Sequence, residues 1–337
     1  VSASADPHQR LGPVVRLAPA KLNLTLAVVG TRADGFHGLH SVIVPLALTD
    51  RLSVAVASSG GDTLHVDGFD PGPTTDNLVL RAIAGARAAA APDAPAPPLA
   101  VRLEKRIPVA AGLGGGSSDA AAALDAALEA WQVRLDTPVH ATLAAALGSD
   151  VPFFLAGGPA LVEGRGERVT PLTGLRGEPP GIVLVTPGAA ISTAEAFAAW
   201  DAGARGEFAG AARQASEHFA AEMGSGMSAR TLLERAAVLA SANDLLPAAA
   251  SLLDGLVAFR RALFRLLRRP IGLSGSGPTL WALYPSLGEA EEAAAAVRDA
   301  VTTAALAVPG DRAPTVIATT AHTSSGPPRA ANAGDTP

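Results

Sequence analysis

Between Lys105 and Trp131 the chain reads KRIPVAAGLGGGSSDAAAALDAALEAW, abandoning side chains in the middle and then starting a long helix. Leu99 to Lys105 alternates apolar with polar residues as a half-buried strand does, and Pro108 ends it. Gly112, Leu113, Gly114, Gly115, Gly116, Ser117 and Ser118 follow. Three consecutive glycines let backbone N–H groups turn inward toward a ligand with no Cβ in the way. The free amides and positive dipole end of the next helix serve the same spot. Ser117 or Ser118 is expected at the helix N-cap with Asp119 in the first turn, so strand, loop and helix come in the order of a phosphate cradle. No Gly-Lys-Ser/Thr closes the loop, and no acidic residue ends a second strand about 20 residues on. A Walker loop and a dinucleotide fingerprint are therefore excluded.

At 337 residues the chain exceeds what one core usually organises, which predicts two domains. Aromatic residues make up 4% against 48% hydrophobic overall, so the cores must be built from Ala, Val and Leu. The net charge of −5, with scattered lysines and arginines, offers no basic stripe for nucleic acid. With no cysteine, disulfides, thiolate metal sites and a cysteine nucleophile are excluded. No uninterrupted apolar run of about 18 residues occurs, and no basic-then-apolar leader opens the chain, so neither membrane nor export is expected and a cytoplasmic protein is the simplest reading. Val1 to Leu11 is not expected to contribute to the fold.

Along the chain, Val14 to Ala18 and Lys21 to Val29 read as strands broken by Pro19. Lys21 and Asn23 project from one side, either as an ordinary wet face or as the wall of a cleft. After the turn at Thr31 to Gly35 come Phe36 and His37, which would suit a core position or a stacked planar base. Apolar strands at Leu39 to Leu48 and Arg51 to Ala57 continue a meander. A helix is expected from near Asp76 to Ala91, and another after Thr137 and Pro138 that closes at Gly148. Asp150 then follows a helix C-terminus directly, where a negative charge is unfavourable, so it either caps the next segment or does chemistry.

A hairpin is expected from Ala160 to Val162 and Glu167 to Leu172 around Gly164, Arg165 and Gly166, and Gly174 to Pro180 is the candidate crossing between domains. Beyond it lie a buried strand at Ile182 to Thr186 and a capping box from Ser192 to Glu195. Helices follow near Arg205 to Glu222, Ser228 to Ala240 and Pro247 to Arg269. Strands at Ile271 to Ser274 and Thr279 to Tyr284 flank Gly275, Ser276 and Gly277, and a helix from Leu287 to Val301 and a strand from Pro314 to Thr319 complete an α+β unit.

With these segments in place the chain resembles the superfamily of galactokinase, homoserine kinase, mevalonate kinase and phosphomevalonate kinase, the GHMP kinases. Three motifs carry the resemblance in order: Pro19 to Leu24, the loop Gly112 to Ser118, and Leu273 to Pro278. Arg32 to His37, the triple-glycine loop and Gly148 to Phe154 make it most similar to the branch that phosphorylates 4-diphosphocytidyl-2-C-methyl-D-erythritol at its 2-hydroxyl. The similarity spans roughly Val14 to Thr319. It implies a two-domain α+β fold, with a ribosomal-S5-like N-terminal domain over 12–178, a ferredoxin-like C-terminal domain over 179–320, a disordered tail over 321–337, and the site in the cleft between the domains.

The resemblance further implies ATP and Mg²⁺, a small-molecule acceptor carrying cytidine diphosphate, and a monomer or homodimer. Pro108, Ala110, Ala111, Gly112, Leu113, Gly114, Gly115, Gly116, Ser117 and Ser118 would hold ATP, with Ser118 or Ser117 at the metal. Lys21 and Asp150 would be catalytic, Asp150 as base, and Asn23, Phe36, His37, Thr193 and Phe197 would hold the acceptor, its base lying between Phe36 and Phe197. Phe36 stands where the family commonly has Tyr. Leu246 follows Asn243, Asp244 and Leu245 where an acidic residue is common, so Asn243 and Asp244 are read as ordering a helix junction. A homoserine or mevalonate-type kinase, or a non-catalytic nucleotide sensor of the same fold, would share the three motifs.

Overall fold

The computed structural model describes residues 12–73, 76–90, 95–203 and 210–322. Its spine is β3 (His37–Val56), a strand of 20 residues long enough to pair with four others. β1 (Val14–Asn23) runs antiparallel to it from Val14↔Val54 to Asn23↔Ile43, and β2 (Ala27–Thr31) pairs with its first residues. The remaining order is β4 (Thr63–Gly68), β5 (Leu99–Lys105), β3, β6 (Ala160–Gly164), β7 (Arg168–Pro171), a seven-stranded sheet in which only β4 and β5 are parallel. Pro19 does not break the first strand. The register shifts between Pro19 and Lys21, a bulge that absorbs the missing N–H. Nor do the two apolar stretches of β3 separate, because Thr49 and Asp50 between them stay paired with Pro19 and Ala18 of β1.

Four helices pack on this sheet: α1 (Leu78–Ala89), α2 (Gly115–Ala130), α3 (Thr137–Leu147) and α4 (Val151–Ala156). Asn77 caps α1, its Oδ1 accepting the Val79 N–H, so the helix begins two residues later than expected from Asp76. The buried face of α2 is largely alanine, with Ala120, Ala123, Ala126 and Ala127 fully covered, which lets the helix lie close against β1 and β3. Val79, Ile83, Leu103, Leu124 and Phe153 fill that core.

Beyond β7 the chain crosses to a four-stranded antiparallel sheet in the order β11 (Arg312–Thr320), β8 (Gly181–Gly188), β10 (Leu280–Tyr284), β9 (Gly272–Leu273). Its helices are α5 (Thr193–Asp201), α6 (Ala211–Gly224), α7 (Ala229–Glu234), α8 (Ala236–Ser241), α9 (Leu246–Leu252), α10 (Leu256–Leu267) and α11 (Leu287–Thr302). The helices expected over Ser228 to Ala240 and Pro247 to Arg269 are each two. Gly255, at φ +82°, N-caps α10 in a left-handed conformation that stops the second from running through. The start expected near Arg205 lies outside the described residues.

The two sheets meet through a shared core. Leu22, Val44 and Leu46 pack with Ile182, Leu184, Trp281 and Phe219, so the first motif sits at the junction. Ala321 forms a bridge to Leu46 and the His322 N–H donates to Pro45 O, tying the end of β11 across the junction where a disordered tail was expected to begin. Residues 323–337 lie outside the described part.

Candidate active site

Helix α2 begins at Gly115, with Gly114 as N-cap at φ +71°. Both serines therefore lie inside the first turn rather than at the cap, because the left-handed glycine closes the turn sooner than a serine would. A Cβ on Gly114 would stand 2.9 Å from both Lys21 Cγ and Phe154 Cζ, and one on Gly112 would stand 2.4 Å from Ser274 O. Glycine is required at these two positions because the protein's own atoms pack behind the loop, in addition to any approach by a ligand.

The loop forms one wall of a cavity of about 930 Å³, at the upper end of small-molecule pockets. Pro108, Ala110, Ala111, Gly112, Gly114, Gly115, Gly116 and Ser117 line it. Leu113 and Ser118 do not. Leu113 is a core side chain whose carbonyl accepts the Lys21 N–H at 2.9 Å. The Ser118 side chain is buried, and its hydroxyl has no hydrogen-bond partner.

Lys21 and Asn23, two apart on β1 beyond the register shift, line the same cavity. Lys21 Nζ donates to Asn23 Oδ1, and Asn23 Nδ2 donates to Ser41 Oγ at 2.8 Å. Both side chains are buried, so the wet-face alternative is ruled out for this strand. Burial lowers the Lys21 pKa while the charge of Asp150 raises it again, and the burial effect is the larger. Asp150 also lines the cavity, as the N-cap residue of α4, yet its side chain makes no cap hydrogen bond. Its carboxylate stands at the favourable end of the following helix, so its position after α3 is no electrostatic misplacement.

Beneath the loop Lys105 Nζ is held between Asp50 and, at 2.8 Å, Asp119. Asp50 is satisfied further by the N–H groups of Arg106 and Ile107. Burial, opposed by Lys105 and reinforced by the Asp50 charge, holds the Asp119 carboxyl up at about 7. This triad pins the end of β5 to the start of α2 and was not legible from sequence, where Lys105 is simply the end of a strand.

At the other end of the cavity the ring of His37 stacks on Phe197, with centroids 4.6 Å apart, and its Nε2 pairs with Asp201 at 2.9 Å. The face of Phe197 expected to receive a base is thus covered by His37 itself, and Asp201 is a partner that sequence did not suggest. Phe36 is 49% exposed, with the Arg165 guanidinium 5.2 Å from its ring centre. Thr193 lines the cavity and its hydroxyl lies 3.1 Å from that of Ser276. The Gly275 turn approaches Lys21 and Asn23, and Asn243 holds it there by donating to Leu273 O and Gly275 O. Asp244 accepts the Val28 N–H, so this pair does order a junction.

Among the described residues no group of three His, Cys, Asp or Glu side chains gathers around a metal. Mg²⁺ commonly takes one or two protein oxygens and completes its shell with phosphates and water. The unpartnered Ser118 hydroxyl and the uncapped Asp150 carboxylate are donors of the right kind.

Residues 77–158 match the GHMP kinases N terminal domain. The 4-diphosphocytidyl-2-C-methyl-D-erythritol kinase of Pelotomaculum thermopropionicum is 39% identical over 288 residues, covering 85% of this chain and 94% of the relative. The kinase of the same description from Deinococcus radiodurans is 39% identical over 292 residues, covering 85% and 89%. A crystal structure of 4-(cytidine 5'-diphospho)-2C-methyl-D-erythritol kinase superposes with a TM-score of 0.65 at 32% identity over 92% of this chain and 100% of that one. Homoserine kinase from Cytophaga hutchinsonii, at 16% identity and a TM-score of 0.64, shares the fold. With three motifs meeting at one cavity and this similarity along most of its length, the chain belongs to the 4-diphosphocytidyl-2-C-methyl-D-erythritol kinase family of the GHMP kinases.

Proposed function

We propose that this chain is an ATP-dependent small-molecule kinase that phosphorylates the 2-hydroxyl of 4-diphosphocytidyl-2-C-methyl-D-erythritol, a step in the non-mevalonate route to isoprenoid precursors. The observation that carries the reading is the meeting of Lys21, Asp150 and the triple-glycine turn on one cavity wall system, although positions 21 and 150 are far apart in sequence. Phosphoryl transfer asks a protein chiefly to position groups and neutralise charge. The amides of Gly114 to Ser117 cradle the nucleotide phosphates, aided by the N-terminal end of α2. Mg²⁺ would supply charge neutralisation at the phosphates, and Ser118 or Ser117 would help to hold it.

Asp150 accepts the proton of the acceptor hydroxyl as that oxygen attacks the γ-phosphorus of ATP and ADP leaves, and Lys21 steadies the transferring group. Asn23 holds Lys21 in register and orients the acceptor. His37, Phe36, Phe197 and Thr193 form the end of the cavity that receives the cytidine. Because His37 covers Phe197, the base stacks on the exposed side of Phe36 or His37 swings aside to admit it. We place the domain boundary at 178/179 and the protein in the cytoplasm; among the described residues no helix is long and apolar enough to cross a membrane.

Incubation with Mg-ATP and the cytidyl substrate tests the reading. Phosphorus NMR should show ADP and a new phosphomonoester on the tertiary carbon. ATP binding with no transfer to this alcohol, or transfer to homoserine or mevalonate instead, would overturn it.

A further inference from the structure

The lysine and arginine side chains that line the cavity are Lys21, Lys105 and Arg165. Lys105 is neutralised by Asp50 and Asp119, and Lys21 is hydrogen-bonded to Asn23 under the influence of Asp150. Arg165, at the tip of the β6–β7 hairpin, forms no ion pair among the described residues. The nearby carboxylate of Glu167 accepts the Arg165 backbone N–H at 2.6 Å and pairs with Arg32 at 3.3 Å. One Arg165 Nη donates to Ala145 O at 2.7 Å and the Glu167 charge acts on the guanidinium from further off, while the rest of the fork has no hydrogen-bond partner among the described residues.

Its position matters as much as its charge. Gly166 is packed against Ser149, since a Cβ there would fall 2.5 Å from Ser149 O, so the hairpin tip lies beside the Ser149–Asp150 turn. On its other side the guanidinium lies over Phe36. Arg165 therefore stands between the carboxylate that meets the reacting hydroxyl and the aromatic end of the cavity. An acceptor with its hydroxylated four-carbon unit at Asp150 and its cytidine at Phe36 must run its diphosphate through the space between them.

Resting on the acceptor reading above, we propose that Arg165 binds the diphosphate of the acceptor and thereby sets a preference for nucleoside diphosphate conjugates over uncharged nucleosides. A guanidinium suits this role because its planar fork meets two phosphate oxygens at once. Stacking on Phe36 holds the fork in that plane before the ligand arrives.

The test is calorimetric titration of cytidine and of cytidine 5'-diphosphate into the wild type, Arg165→Ala and Arg165→Lys. Loss of charge-assisted hydrogen bonds should weaken the diphosphate about 10- to 100-fold in Arg165→Ala. Cytidine should change by less than about 3-fold. Arg165→Lys, which keeps the charge and tests the same point should the alanine variant fold poorly, should recover part of the diphosphate preference. Equal weakening of both ligands would make Arg165 a brace for Phe36 and overturn the proposal, as would no weakening of either. A wild type that binds neither ligand would instead overturn the acceptor reading, and this inference with it.

Discussion

Replacing Asp150 by Asn removes a negative charge and almost nothing else. The side chain makes no cap hydrogen bond to α4 and no ion pair with Lys21, whose Nζ donates to Asn23. Asn has the same shape, so the stability cost should stay within about 0.5 kcal/mol. For a chain of this size that is a shift of about 2 °C or less in melting temperature. The chemical cost is of another order. Loss of a general base commonly lowers turnover about 100- to 10,000-fold, or roughly 2.7–5.5 kcal/mol of barrier. A coupled assay of ADP release with both substrates saturating, run beside a thermal melt, separates the two effects. Unchanged turnover in a folded variant would refute the assignment of the base, and a fall in turnover matched by unfolding would show that Asp150 is structural.

The same electrostatics bear on pH. Burial depresses Lys21, so between its folded value and the ordinary lysine value the unfolded chain carries more protons and stability rises with pH. Activity should decline on the alkaline side before an ordinary lysine would titrate, and in Asp150→Asn that limb should move lower still, because the charge that raises Lys21 has gone. A pH profile of kcat/KM in the two proteins would detect the shift. Lys105→Met leaves two buried carboxylates facing each other and should cost about 3–5 kcal/mol, read by denaturant unfolding. Gly114→Ala forces a Cβ into contact with Lys21 and Phe154 at a left-handed backbone position. It should cost about 1–3 kcal/mol, and turnover should fall with stability.

Local chemistry made part of this molecule legible in its sequence. The strand Leu99–Lys105, the glycine turn and α2 announce themselves by alternation, missing side chains and alanine-rich helix, and Ser192 caps α5 as its spacing implies. What failed depended on partners distant in the chain. Pro19 ends no strand because β3 tolerates a bulge opposite it, and Thr49 and Asp50 do not end β3 because β1 pairs with them. Ser117 and Ser118 are ordinary N-cap residues by type, yet Gly114 takes the cap. The cavity follows the same division. Lys21, Asn23 and Asp150 were visible through motifs, whereas the Asp50–Lys105–Asp119 triad, the His37–Asp201 pair and the stacking of Arg165 on Phe36 join residues 14 to 164 positions apart that no spacing rule connects.

A crystal structure with a non-hydrolysable ATP analogue and the cytidyl acceptor bound together would test the central claim most directly. The account predicts the acceptor hydroxyl within about 2.6–3.2 Å of an Asp150 oxygen and aimed at the terminal phosphorus, with the phosphates against the Gly114–Ser117 amides. Phosphates bound away from that turn, or a hydroxyl that faces some other side chain with Asp150 turned aside, would contradict it.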